Sequence, residues 1–366
     1  MIGEVSQNCQ PGDLVKVLDK AGNPFGIGFY NPRAKIPLRM AAHGDVEPHE
    51  AYFLDNITSA AHLRRNVLKL DDLSEAYRAI HGDSDRFPGL VVDKYRDVLS
   101  MEVTSLAAWQ RLDAWIPAFH AAYGTSRSRI QVDREIALME GIPLSPHPLH
   151  ETIKPLKCRE HGVSFEIQFN EAHKTGFFCD QRENRKQFGE WVAGAEVLDL
   201  CCYTGGFSVR AALKGADVTA VDLDEKAIEM AKRNANINQV RVKYTHADAF
   251  TWARTMIENG RKWDVVLADP PKFIFGKDEE RLGYNKYCDL NSLALKLVRP
   301  GGLFVTCSCS GQLDTYEFER LVISSAHRQN LRLQILQHSG AGPDHPILSN
   351  YPESRYLKVV WARVLC

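Results

Sequence analysis

The sequence predicts an α/β protein. Its second half reads as a doubly wound, mostly parallel sheet ended by an antiparallel strand pair, preceded by a small α+β domain and a β-rich N-terminal domain. Three observations predict this. From about residue 194, short apolar, β-branched runs alternate with helical patterns, the mark of a parallel sheet covered on both faces. The last two apolar runs, 331–336 and 356–361, have no helical pattern between them, so they pair antiparallel. Before residue 175 the chain is strand-rich and punctuated by turns.

With 366 residues, 44% hydrophobic and 25% charged, the chain has room for two or three domains and excludes disordered and collagen-like classes. No apolar run is long enough to cross a membrane, and the start, Met-Ile-Gly-Glu-Val-Ser, lacks a secretory pattern, so a cytoplasmic protein is expected. The nine cysteines are odd in number and contain no CxxC, which argues for reduced thiols and against a disulfide framework or a metal site.

Taken in order, Leu14–Leu18 and Phe25–Tyr30 flank Gly22-Asn23, a hairpin signal, and Ile36–Arg39 reads as a third strand. The stretch from Glu47 to Leu73 is amphipathic and helical, with Arg64 and Arg65 expected as solvated charges. These residues make a first domain, 1–72. A second, 73–175, reads strand–strand–helix–strand–strand: Leu90–Tyr95, Val98–Val103, a helix over Leu106–Tyr123, Arg129–Val132 and Val163–Phe169. Trp109, Leu112, Ile116, Phe119 and Tyr123 keep the spacing of one buried helix face, while Pro117 predicts a kink. The third domain, 176–366, carries strands at Glu196–Leu200, Asp217–Asp222, Val242–His246, Asp264–Asp269 and Leu303–Cys307.

In such a sheet, ligands sit at the carboxyl ends of the strands near the switch point. The first strand ends Asp199-Leu-Cys-Cys-Tyr203-Thr204-Gly205-Gly206, a turn whose glycines let a backbone approach a ligand and whose spacing is not that of a dinucleotide loop. The second strand ends in Asp222, suited to ribose hydroxyls, and the third is followed by Asp248, suited to an adenine amino group. Asp199 adds negative charge for a cationic sulfonium or amino group. Each acid alone is equally well a helix N-cap; three after successive strands make a pattern. That pattern resembles class I S-adenosyl-L-methionine-dependent methyltransferases, and it implies a Rossmann-like catalytic sheet with S-adenosylmethionine as cofactor.

The fourth strand ends Asp269-Pro270-Pro271-Lys272-Phe273, a stiff loop aiming a carboxylate and carbonyls into the pocket. Amine methyltransferases carry an aromatic residue where Lys272 stands, which points away from amine chemistry. The fifth strand ends Thr306-Cys307-Ser308-Cys309-Ser310-Gly311. Carbon 5 of a pyrimidine becomes nucleophilic only after a thiolate adds to carbon 6. Strand period puts Cys307 and Cys309 on one face, so periodicity does not choose between them; Cys309 lies nearer the loop and is favoured. Asp269 would bond the pyrimidine ring nitrogen, with Lys272 near the carbonyl or a phosphate.

The segment Thr175-Gly-Phe-Phe-Cys-Asp-Gln-Arg-Glu-Asn-Arg185, the Tyr203-Thr-Gly-Gly-Phe turn, Asp-Pro-Pro-Lys-Phe and Ser308-Cys-Ser-Gly311 together resemble bacterial large-subunit (23S) rRNA cytosine-C5 methyltransferases. The resemblance spans nearly the whole chain, including Asp85–Asp93. It implies an N-terminal PUA-like β-barrel, Cys309 as nucleophile, and Gln181 and Arg182 as contacts to the cofactor's methionine end, alongside Asp269. A salt bridge anchoring the segment is the alternative for Arg182 and Arg185. Tyr284, Tyr287 and Asn291 match a helix start bordering the substrate pocket, which Pro270, Pro271, Lys272 and Phe273 also line.

Two departures qualify the match. The N-terminal domain lacks an opening strand, leaving an exposed edge. The charge is balanced, 45 Lys+Arg against 46 Asp+Glu overall, with 20 against 23 in residues 1–175 and 25 against 23 in 176–366. The expected partner, large-subunit rRNA, would therefore be held through a patch and an extruded base, with a shallow salt dependence. A homodimer is left open and no membrane partner is expected. The competing readings are methylation at guanine N7, which needs no cysteine, and a non-catalytic ribosome-assembly factor.

Overall fold

Asp19 fastens the first turn: its Oδ1 accepts from the backbone N–H groups of Ala21 and Asn23 at 2.8 and 2.9 Å. The hairpin β1 (Asp13–Leu18) and β2 (Pro24–Tyr30) follows from it, and β3 (Leu38–His43) pairs on the far side of β2. The structure is a computed structural model describing residues 2–169 and 176–365. No strand precedes β1 among the described residues, so β1 is an edge of its sheet.

Helix α1 (Ala51–His62) runs into one wide π-turn at Leu63–Val67 and a short α2 (Leu70–Leu73). The wide turn re-phases the helix. It takes Arg64 fully inside and leaves Val67 60% exposed, which corrects the expectation of a solvated Arg64. Next come β4 (Ala76–His81), β5 (Leu90–Tyr95), β6 (Val98–Val103), α3 (Leu106–Tyr123) and β7 (Arg127–Gln131). They form a sheet ordered β4-β5-β6-β7, in which only β6 and β7 are parallel, across the α3 crossover. Ser105 caps α3 and Gly124, at φ +64°, ends it; Pro117 sits inside one continuous helix.

The sequence reading missed β4, whose Arg78 and Ala79 break the apolar alternation; Arg78 is held by Asp93 of β5 at 2.6 Å. Val163–Phe169, expected as the last strand of this domain, is not part of this sheet. Instead, α4 (Arg134–Glu140) is followed by β8 (Leu156–Glu160) and β9 (Val163–Ile167), which form their own two-stranded ribbon.

The second half alternates as its pattern requires: α5 (Arg182–Trp191), β10 (Glu196–Leu200), α6 (Gly206–Leu213), β11 (Asp217–Asp222), α7 (Glu225–Ile237), β12 (Lys243–His246), α8 (Ala249–Glu258) and β13 (Trp263–Ala268). Then follow α9 (Glu280–Lys296), β14 (Val298–Ser308), α10 (Thr315–His327), β15 (Arg332–Ser339) and β16 (Lys358–Leu365). Strand order is β12-β11-β10-β13-β14-β16-β15, and β16 runs antiparallel to both neighbours. The switch point therefore lies between β10 and β13. Alternate residues feed two cores. Leu198, Val266 and Phe304 meet α8, α9 and α10; Val197, Leu267, Val305 and Cys307 meet α5 and α6.

The chain divides into two compact units. One comprises Met1–Glu160, Ile167–Cys179 and Pro343–Leu348; the other comprises His161–Glu166, Asp180–Gly342 and Ser349–Cys366. A single core from Ile27 to Ile142 runs through the first. Among the described residues no helix is long and apolar enough to cross a membrane.

Candidate active site

The site residues from Asp180 onward belong to the second unit. Strand β10 delivers Asp199, which is 1% exposed. The Ser208 hydroxyl donates to its Oδ2 at 2.5 Å, while Oδ1 is buried with no partner. Burial, reinforced by the charge of Asp222, pushes the Asp199 carboxyl up to about 7.

The turn beyond β10 stores strain: Cys201 and Tyr203 sit at φ +63° and +48°, beside Gly205 at +77°. The Tyr203 N–H donates to Asp222 Oδ2 at 2.8 Å, and the Asp224 N–H donates to Oδ1 at 2.9 Å, so Asp222 locks both its own turn and this one. The Thr204 carbonyl accepts from Asn234 Nδ2 at 3.0 Å. A Cβ on Gly205 would come within 2.7 Å of the Tyr244 hydroxyl, and one on Gly206 within 2.8 Å of Arg185 Cδ. The glycine pair is thus required for close packing around α6. Asp248 accepts from the Thr251 N–H and Oγ1 through Oδ1, both at 2.9 Å; it is the N-cap of α8, and Oδ2 stays outside the cap.

On the other side of the switch point, Asp269 follows β13. Gln181 Nε2 donates to Asp269 Oδ2 at 3.1 Å, and Asn184 Nδ2 fixes Gln181 through Oε1 at 2.6 Å. Burial, then the charges of Asp180 and Asp199, pushes Asp269 up to about 7. Arg182 is fully buried, with Nε on the neighbouring Glu183 at 2.9 Å. Thr175, the first residue of the quoted segment, lies outside the described residues.

Asp180 is a site residue the sequence reading passed over, although it stands next to Gln181. Its Oδ2 accepts from the Tyr356 hydroxyl at 2.6 Å, and its Oδ1 is buried with no partner. Two orphaned carboxylate oxygens and a set of mutually repelling acids fit a cationic ligand such as a sulfonium bearing an amino group. Among the described residues, no group of three or more His, Cys, Asp or Glu side chains is arranged to hold a metal ion.

The substrate side is aromatic. Pro270 is buried and Pro271 exposed. The Phe273 ring lies 4.8 Å from Tyr287 and 6.2 Å from Phe250, so Phe273 is part of the wall. Lys272 lies over the Phe275 ring at 5.7 Å. The Tyr287 hydroxyl is 3.0 Å from Ser310 Oγ, which also accepts from the Ile274 N–H at 3.3 Å. Asn291 bonds the Tyr287 carbonyl at 2.7 Å, and Tyr284 is 36% exposed on the same helix.

The structure separates the two cysteines. Cys307 is fully buried in the α5–α6 core, its thiol bonded to Asp269 and Gln181, and burial with the Asp269 charge drives that thiol well above its ordinary range. Cys309 lies just past the end of β14 and is only half-buried. Nearby, Lys358 of β16 is 2% exposed, and Nζ donates to the Ser310 and Tyr356 carbonyls at 2.5 and 2.9 Å. The sequence reading missed it, although a lone lysine inside the apolar run Tyr356-Leu-Lys-Val-Val-Trp361 was the available signal.

An acid series at a switch point, on a seven-stranded sheet with this terminal strand pair, defines a class I methyltransferase. The family model described as S-adenosylmethionine-dependent methyltransferase matches residues 103–346, and one described as PUA-like domain matches 1–42. S-adenosylmethionine is therefore the cofactor and methyl transfer the reaction. The chain is 30% identical to Ribosomal RNA large subunit methyltransferase I of Salmonella arizonae, covering 100% of this chain and 92% of the relative. It is 33% identical to the protein of the same name in Photobacterium profundum, over 95% and 89% of the two chains. This chain belongs to the ribosomal RNA large subunit methyltransferase I family. A solved structure from Streptococcus mutans, described as a SAM-dependent methyltransferase, has the same fold at 22% identity, with a TM-score of 0.83 over 98% of this chain and 93% of that one.

Proposed function

We propose that the enzyme methylates carbon 5 of a cytosine in large-subunit rRNA through a transient bond between Cys309 Sγ and carbon 6. One observation carries the reading: Cys309 is a half-buried thiol at the mouth of β14, in a chain whose full-length relatives are named ribosomal RNA large subunit methyltransferases. When bound, S-adenosylmethionine supplies an electrophilic methyl group. Asp199, the Tyr203–Gly206 turn, Asp222, Asp248, Gln181, Arg182 and Asp269 would hold it.

The residues of the chain then do the following. The Cys309 thiolate adds to carbon 6, and the displaced electron pair is carried into the ring as an enamine, which makes carbon 5 nucleophilic. Asp269, whose carboxyl is pushed up to about 7 by burial, is protonated in a large share of molecules at neutral pH and donates that proton to ring nitrogen 3 as charge develops there. Once carbon 5 carries the methyl group, loss of its proton to water restores the double bond and expels the Cys309 thiolate, and nitrogen 3 returns its proton to Asp269. Lys272, Phe273 and Tyr287 border the base, and Pro270-Pro271 stiffen the loop that carries Asp269.

The working parts are a PUA-like part (1–72), a small domain (73–175) and the catalytic domain (176–366). The reaction needs no second copy of the chain, and a homodimer is compatible with it. A cytoplasmic setting suits the eight free cysteines of the described residues.

The test is Cys309→Ala with rRNA as substrate. Methyl transfer should fall by at least ~10³-fold while calorimetric S-adenosylmethionine binding survives. Undiminished turnover rules out this cysteine as nucleophile. Nucleoside mass spectrometry of the product should show 5-methylcytidine, and 7-methylguanosine would favour the competing site.

A further inference from the structure

The chain is buried from Leu357 to Ala362, and Lys358, the first residue of β16, lies within that run, opposite Ser308 in the β14–β16 register. An ammonium has three N–H donors. Two reach the Ser310 and Tyr356 carbonyls; among the described residues the third has no acceptor, and no carboxylate forms an ion pair with Nζ. Elsewhere in the chain, the buried Lys94 has its counter-ion, Asp71, at 3.3 Å. A buried cation without an anion is costly to keep, so its surroundings indicate what it serves.

The carbonyl that Lys358 grips belongs to the residue immediately after Cys309. Of the charges acting on the ammonium, that of Cys309 is the largest. Asp314 and Glu317 at the start of α10 act in the same sense, and Lys272 opposes them. Tyr287 of α9 also feels Cys309, as does Cys307 of β14.

We propose that Lys358 is a positioning residue that acts as counter-ion to the Cys309 thiolate. It holds the Cys309–Ser310 turn through the Ser310 carbonyl and supplies the positive charge that keeps Sγ ionised before attack on carbon 6. The thiol proton leaves to water before the substrate reacts, and expulsion of the thiolate at the end restores the ion pair. This assignment rests on Cys309 being the nucleophile.

The full-length protein tests it. Cys309 alkylation by iodoacetamide is followed by peptide mass spectrometry from about pH 6 to about pH 9.5 in wild type, Lys358→Met and Lys358→Arg. The Met variant should move the alkylation midpoint upward by about one unit or more, with the acid limb of the methylation profile moving alongside it. The Arg variant should keep the wild-type midpoint and extend activity to higher pH, because its charge does not titrate. An unmoved midpoint in a Met variant that still binds S-adenosylmethionine overturns the proposal and leaves Lys358 a structural lysine. Should the Met variant fail to bind the cofactor, identical alkaline limbs for wild type and Arg would overturn it equally. Turnover by Cys309→Ala would remove the nucleophile reading without moving the alkylation midpoint, so the two failures are distinguishable.

Discussion

In the first unit the fully buried Arg64 meets both oxygens of Asp85 at 2.7 and 2.6 Å, and it donates to the Arg78 and Asp344 carbonyls at 3.1 and 2.7 Å. Glu140, 2% exposed, accepts from Arg39 and Asn31 at 2.9 Å and from the Leu106 N–H at 3.2 Å. In the second unit Asp199 and Asp180 each keep a buried oxygen without a partner, and Lys358 keeps an ammonium without a carboxylate. The first unit satisfies Arg64 and Glu140 internally, which fixes how their elements pack, while its buried Arg129 is met by the Ser100 hydroxyl and the Phe169 carbonyl. In the second unit Asp199, Asp180 and Lys358 lack such partners among the described residues, and burial drives Asp199, Asp269 and Lys358 toward their neutral forms. Internal pairing of this kind marks architecture, whereas unpaired buried charge marks a place where a ligand or a reacting atom completes the set.

The sharpest way to break this comparison is to remove one partner on each side. Arg64→Met leaves the Asp85 carboxylate with the His81 N–H but without its counter-ion, and it should cost about 3–5 kcal/mol in denaturant unfolding. Asp199→Asn removes a charge that nothing answers, so the ligand-free protein should unfold no more easily than wild type. Equal losses for the two would erase the distinction. Asp269→Ala comes next: kcat should drop by about 10²–10³-fold, the size of losing one well-aimed donor. A loss confined to KM would mean that Asp269 binds the base without stabilising developing charge.

How far each feature was legible follows from the distance over which it is determined. Asp199, Asp222 and Asp248 end successive strands, and a local alternation of strand and helix is enough to find them. The same locality made Cys309 and Asp269 visible, each at a strand end beside a marked turn. Arg64 was misread because a single wide turn at Leu63–Val67 changes which face of the helix is buried, and no nearby residue type announces it. Lys358 comes from the last strand of the sheet, so its proximity to Cys309 depends on β16 inserting between β14 and β15. A packing need for the glycine pair was not legible, because the crowding of Gly205 by Tyr244 and of Gly206 by Arg185 is a tertiary fact.

A smaller effect tests the cofactor side. Asp222→Ala should weaken S-adenosylmethionine by roughly 10–100-fold in calorimetry, the range for losing hydrogen bonds to a charged acceptor. Because Asp222 also ties the Tyr203 and Asp224 N–H groups, Asp222→Asn, which retains one acceptor oxygen, should lose less. Unchanged affinity in both variants would mean that Asp222 only locks the turn.

The smallest expected effect is a pH dependence of stability, and its sign separates the two kinds of buried charge. Asp199 and Asp269 are raised to about 7 in the folded protein, by burial first, while an unfolded aspartate titrates near ~3.9. Between those values the folded form holds protons that the unfolded chain has released. Their contribution is complete below about pH 4 and is lost as pH rises through about 7. Lys358, lowered to about 8, has the opposite sign and adds stability only as pH climbs past that value. The melting temperature of ligand-free wild type, taken relative to Asp199→Asn, should therefore fall by a few degrees (~2–4 °C per kcal/mol) between about pH 5 and about pH 8. S-adenosylmethionine, whose sulfonium and amino group favour ionised carboxylates, should raise it more at the higher pH. A difference that stays flat across this range would show that Asp199 titrates as an ordinary aspartate and has no unmet charge for the cofactor to answer.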